Sequence, residues 1–82
     1  MQEGLLWFDA DPKRTVAEKV ARAADRYHFK FGRRPNLCYV NLSALTDGSL
    51  DCNGIRVIPS ASVLKHHFWI GVEEVIELRK AA

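Results

Sequence analysis

The sequence predicts a single small α+β domain over residues 1–82, with one amphipathic helix packed on a four-stranded mixed sheet. Three observations lead to this prediction. The length fits one domain, one segment has apolar residues at helical spacing, and four short apolar segments have strand character. The predicted order is β-α-β-β-β. With 48% apolar and 27% charged residues, the composition is typical of a globular protein.

The first strand and the helix have the clearest signals. An apolar run at 5–8, closed by Asp9, predicts a buried strand. Thr15 and Glu18 fit a capping box, which places the helix from 16 to about 32. Gly32 is a suitable left-handed terminator. One apolar stripe of the helix is formed by Val16, Val20, Ala24, Tyr27 and Phe31.

The remaining strands are predicted at 37–42, 55–58 and 68–72, with Pro59 ending the third strand. Residues 43–54 have the composition of a loop, although Asn53-Gly54 is a hairpin signal where strands flank it. Residues 60–67 form a connection, and 73–82 fit either a short terminal helix or an extension of the last strand. The first two strands form either a right-handed parallel unit or a split arrangement.

Cysteine content and the apolar pattern bear on location. Cys38 and Cys52 belong to no CxxC pair, and a secreted domain of this size usually carries more disulfides, so a reduced cytoplasmic protein is expected. Cys38 is expected to be buried in its strand and Cys52 exposed in a loop. The sequence has neither a signal peptide at its start nor an apolar run long enough to span a membrane, so no membrane association is expected.

The charge is unevenly distributed, although the net charge is only +2. The helix carries a row of basic residues at steps of three or four, which places them in one narrow strip. Such a strip can follow the phosphates of a nucleic acid, and Phe29 could then stack on a base. The alternative is an ordinary solvated face, with Arg22 partly neutralised by Glu18 and Asp25. The candidate residues for anion or nucleic-acid binding are Lys19, Arg22, Arg26, Lys30, Arg33 and Arg34.

Asp9 and Asp11 follow the first predicted strand, a position from which carboxylates can hold Mg²⁺ for phosphoryl transfer. The strand and the Asp-x-Asp spacing resemble the start of the haloacid-dehalogenase-like phosphatases over a few residues. Pro12 stands where that family has Gly, and 82 residues are too few for its other elements, so no role is carried over. The favoured interpretation is an Asx turn before the helix.

His66 and His67 are the other weak metal candidates. Adjacent residues of a strand point to opposite faces, so two neighbouring histidines do not readily bind one ion together. The sequence lacks the close ligand pairs of zinc sites, and it lacks the glycine-rich motifs of nucleotide sites and the nucleophile motif of hydrolases. No catalytic residue, metal or cofactor is therefore predicted.

The sequence leads to three functional hypotheses. The leading one is a non-enzymatic module that binds an unidentified protein partner and self-associates, as a homodimer, through a sheet edge or an aromatic face. Trp7 and Trp69 support it, because two tryptophans in 82 residues need more cover than one copy supplies. The alternative is a nucleic-acid-binding domain that uses the basic strip. A small metal-dependent hydrolase is the least favoured.

Overall fold

The computed structural model describes residues 4–45 and 48–73, which form one helix and one five-stranded sheet. The α+β prediction is confirmed, but the sheet has one strand more than expected. A 3₁₀ turn, Leu42–Ala44, follows the second strand. The elements are β1 (Gly4–Phe8), α1 (Val16–Phe31), β2 (Leu37–Asn41), β3 (Leu50–Cys52), β4 (Ile55–Ser60) and β5 (His67–Gly71).

The strand order is β1-β5-β2-β4-β3. β2 and β4 are parallel, and the other neighbouring pairs are antiparallel. Since β1 and β2 are each antiparallel to β5, they run parallel to each other with β5 between them. Of the two arrangements left open by the sequence, the chain therefore adopts the split one.

The additional strand, β3, lies in the segment predicted as loop. It pairs with β4 through three residues, and Asn53-Gly54 forms the hairpin turn with φ of 52° and 84°. The Asp51 carboxylate accepts the Gly54 N–H at 3.1 Å. A strand of three residues is too short to show a reliable alternation of apolar and polar side chains, so only the Asn-Gly signal indicated it.

The prediction that Pro59 ends β4 is wrong, because the strand continues to Ser60. The Arg56 N–H donates to the Asn36 carbonyl at 3.0 Å, toward the β2 side. Successive N–H groups of a strand alternate in direction, so position 59 faces the β3 side. β3 does not reach that far, because its first residue, Leu50, pairs with Val57. A proline costs no ladder hydrogen bond at that position.

The helix begins and ends as predicted. The Thr15 hydroxyl accepts the Glu18 N–H at 3.1 Å, and the Glu18 carboxylate accepts the Thr15 N–H at 2.8 Å. Gly32 has a φ of 76°, and its N–H donates to the His28 carbonyl at 2.8 Å. No helix in the described part of the chain is long and apolar enough to cross a membrane. The predicted terminal helix or strand extension lies almost entirely outside the described residues.

The core lies between α1 and one face of the sheet. One row of side chains crosses all five strands beneath the helix, because these residues are paired in register. From β1 to β3 the row is Leu5, Ile70, Cys38, Val57 and Leu50. The helix contributes Val20, Ala23, Ala24 and Tyr27 to the same core.

Candidate functional site

The opposite face of the sheet carries apolar side chains, and no helix of the described residues lies on it. Leu6 pairs with Trp69, Trp69 with Tyr39, and Tyr39 with Ile58, so one row crosses four neighbouring strands. Phe8 lies beside this row on β1. We call these five residues the open face. None of them packs on the core beneath α1, and Leu6 and Phe8 are 57% and 59% exposed.

The loop between β4 and β5 adds to the open face. Leu64 is 72% exposed and borders a cleft of about 340 Å³ together with Leu6 and Trp69. Burial of each exposed apolar side chain of this kind contributes about 1.5–3 kcal/mol when a partner removes it from water. Contiguous apolar surface on a small domain typically marks an interaction site.

The two edges of the sheet differ in a way that bears on pairing with another chain. β1 has five residues without charge or proline, and no other strand of the described part of the chain pairs with its outer side. β3 has three residues, and the central Asp51 is charged and exposed. Short and charged edges resist pairing, whereas long and uncharged edges invite it. β1 is therefore the edge suited to a further strand.

Four residues of the basic strip lie on α1, where the sequence placed them, whereas Arg33 and Arg34 follow Gly32 beyond the end of the helix. Arg22, Arg26, Lys30, Arg33 and Arg34 are exposed, and Lys19 is half-buried. The expected neutralisation of Arg22 by Glu18 and Asp25 is not found. Within residues 4–45 and 48–73 the single salt bridge joins Arg14 to Asp11.

Phe29 extends the basic strip with an aromatic surface. Its ring is 80% exposed, and the Arg26 guanidinium lies 5.5 Å from the ring centroid. Trp7, Arg22 and Asp25 line a shallow groove together with these two residues. The charge on this surface is thus mostly positive, with one carboxylate, that of Asp25, beside the aromatic ring.

Asp9 and Asp11 have the structural role favoured by the sequence. The Asp9 carboxylate accepts the Asp11 N–H at 3.0 Å, and the Asp11 carboxylate accepts the Lys13 N–H at 2.9 Å. Both side chains therefore shape the turn before α1. In the described part of the chain, no three His, Cys, Asp or Glu side chains come together in a group that could hold a metal ion.

His66 and His67 lie at the end of the β4–β5 loop, and both rings contact Phe8. The centroid separations from the Phe8 ring are 6.3 Å and 5.0 Å. His66 occupies a turn with a φ of 67°, whereas His67 is the first residue of β5. Because His66 lies in the turn before the strand, strand alternation does not place the two rings on opposite faces. Both residues line one cleft that Lys19 also lines.

The cysteines are both free. Cys38 is fully buried, as predicted, and burial together with the nearby Cys52 raises the pKa of its thiol to about 12. Cys52 is half-buried in β3 rather than exposed in a loop, which corrects the prediction. Burial, followed by the charge of Asp51, also raises the pKa of the Cys52 thiol. Thiols of this kind are weak nucleophiles at neutral pH.

Sequence reasoning missed two sets of residues. Leu6, Tyr39 and Ile58 were recognised as strand residues, but their shared face depends on a strand order that no local pattern reveals. Lys65 was missed because Lys19, which lines the same cleft, is distant from it in sequence.

Comparison of the chain with protein-family models, with curated proteins and with solved structures found no match.

Proposed function

We propose that this protein is a non-enzymatic interaction module that forms a homodimer by antiparallel pairing of two β1 strands. The observation that supports the proposal most is the apolar row of Leu6, Trp69, Tyr39 and Ile58, which begins on an unblocked edge strand. A second copy suits this edge because its own β1 has the same uncharged sequence.

The pairing has a natural centre. When a two-fold axis passes beside Leu6, the two copies of Leu6 lie opposite each other on the same side of the joined sheet. The apolar row then continues through both copies. The outer main-chain groups of β1 gain hydrogen-bond partners, and the side chains of Leu6 and Phe8 lose contact with water.

The test is the oligomeric state of three variants, measured by sedimentation velocity over a range of concentrations. Leu6→Lys places a charge at the centre of the pairing and is expected to give monomers. Phe29→Lys is the matched control, since it also replaces an exposed apolar residue but lies on the outside of α1. Wild type that sediments as a monomer at every concentration would contradict the proposal.

A third variant separates edge pairing from stacking of two open faces. Ile58 lies on β4, far from the β1 edge, so Ile58→Lys is expected to leave the dimer intact. Dissociation by Ile58→Lys as strongly as by Leu6→Lys would favour face-to-face stacking instead. Hydrogen exchange provides a second measurement, because outward N–H groups of β1 become protected only in the edge-paired dimer.

We propose nucleic-acid binding by the basic strip as the second candidate. The support for it is that no carboxylate of the described residues forms an ion pair with the strip and that Phe29 is exposed beside Arg26. Combined replacement of Arg22, Arg26 and Lys30 by Glu is expected to abolish binding of a single-stranded oligonucleotide. The affinity of wild type should fall steeply with salt. Binding that persists in the triple variant would contradict this candidate.

A further inference from the structure

A small cleft at one end of the sheet brings together basic and polar side chains from three parts of the chain. It has a volume of about 210 Å³ and lies between the start of α1, the end of β2 and the β4–β5 loop. Among residues 4–45 and 48–73, no carboxylate lines it. The polar lining residues are Lys19, Asn41, Ser43, Lys65, His66 and His67.

The two ammonium groups of the cleft have no counter-ion among the described residues. Lys19 is half-buried, yet no described carboxylate lies within 4.0 Å of its Nζ. Carboxylates near it in the sequence are committed elsewhere. Glu18 accepts the Thr15 N–H in the capping box, and Asp11 pairs with Arg14. A partly desolvated ammonium group without a counter-ion favours an anion in its neighbourhood.

The loop that carries Lys65 and the histidines is held in one conformation. The Asp9 N–H donates to the His66 carbonyl at 3.0 Å, and the His67 N–H donates to the Leu64 carbonyl at 3.1 Å. The Asn41 amide donates to the Val63 carbonyl at 2.7 Å. These bonds keep His66 at a φ of 67°, which is unfavourable for a residue other than glycine.

The orientation of His67 is fixed in the same way. Its Nδ1 lies 2.9 Å from the Lys65 carbonyl, and a carbonyl only accepts, so Nδ1 carries the proton. Val16, the first residue of α1, also lines the cleft. The partial positive charge of the helix N-terminus therefore adds to that of the side chains.

We propose that this cleft binds a phosphate group, either as free phosphate or as the phosphoryl group of a small phosphomonoester. Two ammonium groups suit a dianion better than a monoanionic carboxylate. An imidazole N–H of His66, supplied from a second direction, suits the tetrahedral arrangement of phosphate oxygens. The small volume favours a compact group over an extended polymer.

The test is a titration followed by amide NMR shifts, with inorganic phosphate and methyl phosphate as probes at constant ionic strength. Saturable shifts are expected at Val16, Ser43 and residues 65–67. Lys19→Gln is expected to weaken phosphate binding about tenfold, the usual order for loss of one charge-assisted contact. Lys30→Gln removes the same charge from the far end of the basic strip and should leave the affinity unchanged.

Two further variants keep the test decisive. Lys65→Gln removes one of the two positive charges, so it should lower the affinity for phosphate. Because Lys65 is exposed, the change should not disturb the fold. His66→Gly removes the imidazole and the backbone strain together, so the melting temperature should rise while phosphate affinity falls.

Three results would overturn the proposal. The first is the absence of saturable shifts with either phosphate probe. The second is an equal loss of affinity in the Lys19 and Lys30 variants, which indicates general attraction to the basic strip. The third is binding of a single-stranded oligonucleotide without binding of methyl phosphate, which indicates recognition of a phosphodiester chain.

Discussion

The two faces of the sheet are built from alternate residues of the same strands, yet they differ in how completely they are covered. Phe68 and Ile70 of β5 lie beneath α1 and are almost fully buried. Their neighbours His67 and Trp69 lie on the other side, where no helix within residues 4–45 and 48–73 covers them, and stay half-exposed. Because one helix covers one face, the domain completes its core on one side and leaves apolar side chains on the other.

The comparison shows that apolar residues in this chain have two different roles. Those under α1 stabilise the fold within one copy, since burial of such a side chain contributes about 1.5–3 kcal/mol. Those on the open face contribute less to the isolated chain because water still reaches them. Their full contribution requires a partner, which is why the proposed dimer uses them.

The largest expected effect is a difference in the free energy of unfolding between a variant on the covered face and a variant on the open face. Phe68→Ala removes a side chain that is 3% exposed, and we expect a loss of about 3–5 kcal/mol in the free energy of unfolding. Leu6→Ala on the open face should change it by no more than about 0.5 kcal/mol in dilute protein. Urea denaturation at low concentration measures both. Similar losses in the two variants would contradict the division of roles.

The sequence predicted the covered face better than the open one. The capping box, the stripe that includes Val20 and Tyr27, and the glycine terminator are local signals, and each one was confirmed. The open face depends on β5 inserting between β1 and β2, which is a long-range pairing that leaves no local pattern. Partners and oligomeric state depend on surfaces of this kind, so they stay predictions.

The second prediction uses the thiol beneath α1. Burial, and then the charge of Cys52, raises the pKa of Cys38 from 9.0 to about 12. Between these pH values the folded chain keeps a proton that the unfolded chain has lost. The free energy of unfolding should therefore fall by about 1.4 kcal/mol for each pH unit in that range, and the contribution is fully present below pH 9.

The control for this prediction is Cys38→Ala, compared by slope because the smaller side chain also lowers stability at every pH. The variant should lose less stability than wild type as the pH rises through this range. Cys52, whose pKa is also raised, is present in both proteins, so its own titration contributes to both slopes. If the free energy of unfolding, measured by urea denaturation, fell equally with pH in both proteins, burial beneath α1 would not raise the pKa of the Cys38 thiol.

The smallest effect concerns whether the open face is itself packed. An added Cβ at Gly4 would lie 2.9 Å from Cζ2 of Trp69 and 3.1 Å from the Ile70 carbonyl oxygen. Strand propensity favours alanine over glycine by about 0.5–1 kcal/mol, whereas overpacking costs about 1–3 kcal/mol. We expect Gly4→Ala to destabilise the chain by about 1 kcal/mol, measured by thermal or urea denaturation.

We attribute that loss of stability to the Trp69 ring. Gly4→Ala in a Trp69→Ala background should therefore destabilise the chain less than in wild type, or even stabilise it. This double-mutant comparison isolates the contact between β1 and the indole on the open face. A gain in stability from Gly4→Ala in wild type would mean that Trp69 moves aside freely. The indole would then be a loosely held part of the row, and the covered and open faces would differ in rigidity as well as in burial.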